Sequence, residues 1–274
     1  MAAGHGAVLR VGVLGHGAIG ANVAAALRRG TVPGAVLGGV LTRGGTPAPA
    51  SVRDLRALLA SSDVVVEAAG QPALREHGPA VLAAGRDLLA VSVGALADQD
   101  LFHELTRPAT ARSGRLLICT GALGGLDVVR AAALGGPLAS VRLTSSKAPA
   151  SLVQPWMDDR TADRLRSLRP GDAPVTVFDG DAREAAVRFP RNANVAATLA
   201  LAAGDWSAVR VRLVAAPDTT LTRHVVEFTG QVGEYRFELG NLPDPANPAT
   251  SGLVGPAVLR SLADLVPGVA WRVA

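Results

Sequence analysis

Three glycines near the start of the chain have the spacing of a loop that holds a dinucleotide. Gly15, Gly17 and Gly20 lie in the stretch VGVLGHGAIG, after an apolar run and before a segment with helical spacing. In such a loop the first glycine permits a tight turn, the second lets a pyrophosphate approach the backbone, and the third lets the helix pack on the strand. The N–H groups that open the helix then hold the negative charge. We therefore predict dinucleotide binding here; the alternative is that the glycines only shape a turn.

The residues after the second apolar run bear on the choice between NAD and NADP. An NAD site commonly has an acid there, which bonds the ribose 2′-hydroxyl. This chain reads VLTRGG instead, so Arg43 is available for the 2′-phosphate of NADP, and NADP should be accepted. The alternative is that Arg43 is a solvated loop cation. The residues that we predict to bind the cofactor, NAD or NADP, are Gly15, Gly17, Ala18, Ile19, Gly20, Arg43, Ala69 and Gly70.

The elements that position these residues predict an α/β fold with two kinds of sheet. In the first half, continuous apolar runs alternate with helical segments, which is typical of a Rossmann-type, doubly wound parallel sheet. The second half alternates apolar and polar residues, which predicts a second α+β domain on a largely antiparallel sheet. The predicted strands are 7–14, 35–42, 63–70, 87–94, 115–121, 140–148, 175–180, 209–216, 223–230 and 234–240. The predicted helices are 18–29, 52–60, 72–84, 97–111, 181–189, 194–203 and 253–265, with a Pro-rich loop over 242–252.

Composition argues against several classes of protein. The formal net charge is only +4 and the cations are scattered, so we expect no nucleic-acid partner. No stretch has the length and apolarity of a membrane span, and the N-terminus lacks a secretory pattern, so no membrane association is expected. Cys119 is the sole cysteine; it excludes an intramolecular disulfide, favours a cytoplasmic location and is expected in the core. No metal site is predicted, because no HxxxH or HExxH spacing occurs.

Three further stretches distinguish the chain from a generic dinucleotide-binding protein. They are TGALGGLD (120–127), FPRNANVAATLALA (189–202) and NPATSGL (247–253). With GHGAIG, VVEAAG and VSVGAL, they make the chain resemble the L-aspartate dehydrogenase family over essentially its whole length. The resemblance implies NAD(P)-dependent oxidation of L-aspartate, a small-molecule substrate, to iminosuccinate, which hydrolyses to oxaloacetate or feeds NAD biosynthesis.

The resemblance also implies domain roles and site residues. We expect a dinucleotide-binding domain over 1–120, a catalytic and dimerisation domain over 121–250, and a C-terminal helix over 251–274 that returns to the first domain. In this family the sheet domain commonly forms the interface of a homodimer. The residues that correspond to dinucleotide contacts of the family are Ala122 and Asn194, and the histidine at the catalytic position is His224.

The chemistry of the reaction explains why a histidine suits that position. Hydride leaves Cα only when the amine is neutral, whereas the substrate arrives as an ammonium, so a base with a pKa near neutrality is wanted. His224 opens a predicted strand, and its alternative role is that of a packed strand histidine. The other four histidines are terminal, in the glycine turn or on predicted helices with charged neighbours: His5, His16, His77 and His103.

A dicarboxylate substrate also needs cations or N–H donors. The candidate substrate-binding residues are Lys147, Arg191, Asn192, Thr250 and Ser251. An equally acceptable interpretation of the last two is an N-cap of the final helix.

Some residues depart from the family pattern and leave the substrate open. Ala216 stands where an acid is expected before the histidine, and Ala249 replaces a cation in the NPATSG loop. The segment 153–170 is also longer and more charged than usual. Two alternatives therefore stay beside aspartate oxidation: the same chemistry on another amino acid or imine, and a dinucleotide-binding protein without catalysis.

Overall fold

The computed structural model describes residues 8–45, 47–107, 114–190 and 194–268, which form two compact units. The first unit comprises the chain up to Cys119 together with the segment from Val254 onward, and the second unit runs from Thr120 to Leu253. Within these ranges no helix has the length and apolarity needed to cross a membrane.

The first unit is a parallel sheet covered by helices. Its strands are β1 (Leu9–Leu14), β2 (Ala35–Leu41), β3 (Val64–Glu67), β4 (Asp87–Ala90) and β5 (Leu116–Ile118). Its helices are α1 (Ala18–Arg28), α2 (Leu55–Ala60), α3 (Gln71–Ala83), α4 (Gln99–Thr106) and the C-terminal helix (Val254–Leu265), with 3-10 turns at Arg43–Gly45 and Val93–Ala97. The strand order is β2-β1-β3-β4-β5 and every pairing is parallel, which confirms the predicted doubly wound sheet.

The carboxyl ends of these strands lie in one row. Leu14 of β1 pairs with Leu41 on one side and Glu67 on the other, and the row continues through Ala90 to Ile118. Every loop that leaves a strand therefore starts from the same edge. The chain moves outward from β1 first to one side and then to the other, and ligands of doubly wound sheets bind at such a reversal.

The C-terminal helix belongs to the core of the first unit. Val258 and Leu262 are fully buried, in the same apolar cluster as Val13 of β1 and Val23 of α1. Cys119 is buried in this cluster too, as expected of a core residue. The end of the chain thus supplies part of the apolar layer over β1.

The second unit is a mixed sheet with helices on one face. Its strands are β6 (Leu138–Lys147), β7 (Val175–Asp181), β8 (Val209–Ala215), β9 (Thr222–Gly230) and β10 (Gly233–Asn241), and a small hairpin is formed by β11 (Pro243–Asp244) and β12 (Asn247–Ser251). Its helices are α5 (Leu126–Leu134), α6 (Asp159–Ser167), α7 (Ala182–Arg188) and α8 (Asn194–Ala203), with a 3-10 turn at Pro149–Leu152. The order is β10-β9-β6-β8-β7, and only the β6–β8 pair is parallel. The prediction of a largely antiparallel sheet is confirmed.

Burial alternates along the strands of this sheet. Val141, Leu143 and Val226 point to the buried face, against which α5 and α8 pack. The opposite face carries exposed charged side chains, among them Arg142 and Arg236. This alternation follows from the two-residue period of strands, one face meeting the core and the other meeting solvent.

Four elements differ from the sequence prediction. The helices α5 and α6 were not expected: the first follows a glycine pair that obscures its start, and the second is highly charged, with Asp158 capping it through the N–H of Thr161. The segment predicted as a Pro-rich loop over 242–252 contains the β11–β12 hairpin. The predicted helix 97–111 begins at Gln99, because Asp98 accepts hydrogen bonds from N–H groups of its first turn.

Candidate active site

The glycine loop has the geometry that dinucleotide binding requires. Gly15 has φ of +98°, and a Cβ there would lie 2.7 Å from the carbonyl oxygen of Ala68. A Cβ on Gly20 would overlap the carbonyl oxygen of Gly15, so α1 packs directly on the turn. A Cβ on Gly17 would meet no atom within 4 Å. The first and third glycines are thus required by the fold, whereas the second leaves open space above bare backbone.

A cleft of about 720 Å³ opens over this loop, at the carboxyl edge of the parallel sheet. Gly17 is the N-cap of α1, and no side chain caps the helix there, so its first N–H groups are available to an anion. Of the residues predicted to bind cofactor, four line the cleft: Gly15, Gly17, Arg43 and Ala69. The other four adjoin the cleft in sequence without lining it: Ala18, Ile19, Gly20 and Gly70. This backbone cradle fits the diphosphate of a dinucleotide.

Further polar residues line the cleft that the sequence interpretation did not assign to it: His16, Thr42, Asp54, Glu76 and His77. Asp54 reaches it from the start of α2, where its carboxylate also accepts the N–H of Ala57 at 2.8 Å. His16 and His77 line it as well; His77 is partly exposed there, with its Nε2 3.8 Å from the carboxylate of its neighbour Glu76. Asp54 and His77 lie far from the glycine loop in sequence, and the placement of α2 and α3 brings them to it.

Glu67 is a buried acid that the sequence analysis overlooked. It is the last residue of β3, has no exposed surface and lies next to Leu14 in the row of strand ends. Burial raises the pKa of its carboxyl, and hydrogen bonds from Ser92, Ala69 and Gly70 act in the opposite direction. A charged residue at the end of an apolar run was the available signal, in the stretch VVVEAAG.

In the second unit, His224 lies within a small polar cluster on the otherwise apolar face of the sheet. It is almost fully buried on β9, directly opposite Ser145 of β6, and its Nδ1 is 2.8 Å from the Ser145 hydroxyl. Lys147 is buried two residues beyond Ser145, on the same face of β6. The same rows continue inward with Leu143 and Val226. We call Ser145, Lys147 and His224 the polar cluster.

Burial controls the charge of the polar cluster. Desolvation lowers the pKa of Lys147 to about 8. Desolvation first, and then the charge of Lys147, lower the pKa of His224 to about 3. The imidazole is therefore neutral at physiological pH. The residue type alone suggested a pKa near neutrality, and the pKa in the structure is well below that. Two basic side chains share a buried site, so a proton on one of them disfavours a proton on the other.

Of the two residues at the family's cofactor positions in the second unit, Ala122 lies near the end of the sheet that carries His224. The carbonyl oxygen of Ala122 accepts a hydrogen bond from Nδ2 of Asn241, at 3.1 Å. Asn241 ends β10 and pairs with Thr222, two residues before His224. Asn194 is the first residue of α8, and its carbonyl accepts the hydroxyl of Thr198.

Two of the remaining substrate candidates, Thr250 and Ser251, are not part of the polar cluster. Thr250 and Ser251 lie in the β11–β12 hairpin, where the Thr250 hydroxyl accepts Nδ2 of Asn247 and the Ser251 hydroxyl accepts the N–H of Leu253. The alternative that they cap the final helix is wrong, because that helix begins only at Val254. Arg191 and Asn192 lie outside the described residues. In the part of the chain that the structure describes, no group of three or more His, Cys, Asp or Glu could hold a metal ion.

Comparison with known proteins identifies related sequences over both units. Residues 127–265 match the family "Aspartate dehydrogenase, C-terminal", and residues 15–118 match "Homoserine dehydrogenase, NAD binding domain". The chain is 39% identical to L-aspartate dehydrogenase of Ruegeria pomeroyi, covering 93% of this chain and 91% of that protein. It is 38% identical to L-aspartate dehydrogenase 2 of Bordetella pertussis, covering 92% and 95%.

Solved structures share the fold. Aspartate dehydrogenase from Thermotoga maritima superposes with a TM-score of 0.72 at 24% identity, covering 96% of this chain and 99% of that one. A hyperthermophilic archaeal homoserine dehydrogenase in complex with NADPH superposes with a TM-score of 0.58 at 10% identity, covering 94% and 97%.

Replacing Gly17 by alanine should separate cofactor binding from folding. The new methyl group would meet no protein atom and the backbone has φ of −75°, so the melting temperature should stay within a few degrees of the wild type. The methyl group would occupy the space above the bare backbone, so the Kd for NADPH should rise about tenfold or more, which is about 1.4 kcal/mol. Fluorescence titration with NADPH and calorimetry measure the two quantities.

Gly20→Ala is the matched comparison, since its Cβ overlaps the Gly15 carbonyl and should lower the melting temperature as well. Normal NADPH affinity in Gly17→Ala would contradict the prediction that the backbone at Gly17 binds the diphosphate.

Proposed function

The chain belongs to the L-aspartate dehydrogenase family of NAD(P)-dependent oxidoreductases, and from this premise we propose that it interconverts L-aspartate and iminosuccinate. Water converts iminosuccinate to oxaloacetate and ammonia. The observation that carries the proposal is the polar cluster: a buried lysine and a buried histidine at the end of an apolar sheet face. A buried lysine suits a substrate with two carboxylates, because a carboxylate beside the ammonium offsets the cost of its desolvation.

The first unit would bind the dinucleotide, and the second unit would bind the substrate. The glycine loop and the N-terminus of α1 would hold the diphosphate of the dinucleotide, whose bound nicotinamide would supply the acceptor for hydride. Lys147 would bind a carboxylate of the substrate, and the negative charge would raise the pKa values of both Lys147 and His224 from their ligand-free levels. Substrate binding would thereby make the imidazole a better base.

His224 would move the proton that must leave the substrate ammonium. If its Nδ1–H donates to the Ser145 hydroxyl, Nε2 carries the lone pair and can accept that proton. The neutral amine then forms the C=N bond as hydride leaves Cα with both electrons. In the hydrolysis that follows, His224 would help water attack the imine carbon.

His224→Ala should lower kcat about a hundredfold or more while leaving the Kd for NADPH unchanged, since the imidazole acts on protons and not on the dinucleotide. The assay follows loss of NADPH absorbance with oxaloacetate and ammonia. The control is His103→Gln, because His103 is exposed on α4 of the first unit. A near-normal kcat in His224→Ala would remove His224 from the mechanism.

Lys147 makes the affinity for dicarboxylates depend on pH. The lysine is charged below its pKa of about 8 and neutral above it, so affinity should be constant below pH 8 and fall as pH rises further. The Kd of succinate, which has no amine to titrate, measures this by calorimetry. Lys147→Met should bind weakly at every pH, and Lys147→Arg should bind without the loss above pH 8. A flat profile in the wild type would exclude Lys147 as the carboxylate partner.

We propose NADP as the preferred cofactor, because Arg43 lines the cleft just after β2 and the sequence there lacks an acid. Arg43→Ala should raise KM for NADPH about tenfold and leave KM for NADH unchanged, since only NADPH carries the 2′-phosphate. Arg28→Ala, an exposed arginine at the far end of α1, is the control. Equal effects on both cofactors would show that Arg43 does not read the phosphate.

A second copy of the chain is the partner that we propose. The outer face of the second sheet is exposed and carries side chains of both charges, with Glu227 paired to Arg236 at 2.5 Å and Asp179 to Arg212 at 2.7 Å. Such a face suits an isologous homodimer.

We also propose a cytoplasmic location, which agrees with the single, buried Cys119.

One observation favours a second candidate substrate. Ala216 stands where the family pattern has an acid, and its N–H donates to the carbonyl of Lys147 at 2.8 Å. The replacement of an acid by alanine therefore lies directly beside the polar cluster. The same reaction on another amino acid or imine is therefore the alternative. A panel of keto acids and amines in the NADPH assay distinguishes the two: turnover only with compounds other than oxaloacetate would establish the alternative.

A further inference from the structure

The carboxylate of Glu67 is fully bonded inside the first unit. One oxygen accepts the N–H of Ala69 at 2.8 Å, the N–H of Gly70 at 2.9 Å and the hydroxyl of Ser92 at 3.0 Å. The other oxygen accepts the N–H of Ser92 at 3.0 Å. Among the residues that the structure describes, no lysine or arginine pairs with this acid; its hydrogen bonds come from backbone and hydroxyl donors.

These donors belong to two loops at the edge where the cofactor cleft opens. Ala69 and Gly70 connect β3 to α3, and Ala69 lines the cleft. Ser92 follows β4, the next strand of the sheet. The glycine loop packs against the segment between β3 and α3, since Gly15 approaches Ala68 too closely for a side chain. A shift of residues 68–70 would therefore displace the backbone against which the glycine loop packs.

No neutral side chain of the same shape can make all four hydrogen bonds. A glutamine has one acceptor oxygen, and its amide nitrogen would face the N–H of Ser92, donor against donor. An unpaired buried N–H costs as much as a lost hydrogen bond or more. The carboxylate is thus specifically suited to this site, although burial disfavours its charge.

We propose that Glu67 is a positioning residue for the cofactor: its carboxylate fixes the Ala69–Gly70 backbone and, through it, the glycine loop in the geometry that binds the dinucleotide. This inference rests on the proposed function for its ligand. It assigns to Glu67 an effect on cofactor affinity and none on the proton transfer at His224.

The test uses the whole protein and NADPH as the probe. Glu67→Gln should raise the Kd for NADPH about tenfold or more, with kcat at saturating NADPH within about threefold of the wild type. Ser92→Ala removes only the hydroxyl donor and should raise the Kd by a smaller factor, about threefold. Ser62→Ala is the matched control, because Ser62 is a buried serine of the same unit that bonds the carbonyl of Leu58. It should leave the Kd unchanged.

A purely structural role predicts a different result. It would lower the melting temperature of Glu67→Gln but leave the Kd for NADPH, measured well below melting, as in the wild type; that outcome overturns the proposal. If Glu67→Gln does not fold, Glu67→Asp and Ser92→Ala carry the test, since the shorter acid cannot reach both loops. An unchanged Kd in both variants would then overturn it.

The wild type separates this inference from the proposed function. Wild-type protein that binds NADPH without turning over oxaloacetate contradicts the proposed substrate, and the Glu67 variants are still judged by their Kd values. Wild-type protein that binds neither NADPH nor NADH overturns both.

Discussion

The alignment of strand ends in the parallel sheet is the constraint on which the first unit depends. Because parallel strands in register end at one edge, the loops after β1, β2, β3 and β4 all leave from there. The polar groups of these loops must be bonded where apolar strands stop. The carboxylate of Glu67 meets that requirement for the loops after β3 and β4, whereas the N-terminus of α1 has no side-chain cap and leaves its first N–H groups available. The edge is consequently rich in backbone donors.

The second unit places polar groups where burial is expensive. The apolar rows of β6 and β9 end in Ser145, Lys147 and His224, and desolvation lowers the pKa values of both bases. Such a site is poorly suited to hold its own protons and well suited to receive anions. In the proposed reaction a substrate carboxylate adds a negative charge beside Lys147 and His224, so the pKa values of both rise when the substrate binds. This explains how a histidine with a low pKa in the ligand-free protein could still take a proton from the bound ammonium.

The relation of sequence to structure differs between elements. The five apolar runs of the first half and the alternating runs of the second were recognisable because burial on one or two faces leaves a direct trace in residue type. The helix α5 was missed because glycines precede it, and α6 because its charged residues mask a short buried face formed by Ala162 and Leu165. The hairpin at Pro243–Ser251 was read as a loop because its prolines argue against strands.

The sequence by itself determined the glycine loop, the two sheet types and the candidate base His224, since each depends on local spacing or on a family motif. Only the tertiary structure decided that Asp54 and His77 line the cofactor cleft, that Glu67 joins two loops, and that Ser145 contacts His224. These contacts join residues well separated along the chain, and strand register creates them. The charge state of Lys147 and His224 was likewise a tertiary property, because it follows from how completely the fold removes water from them.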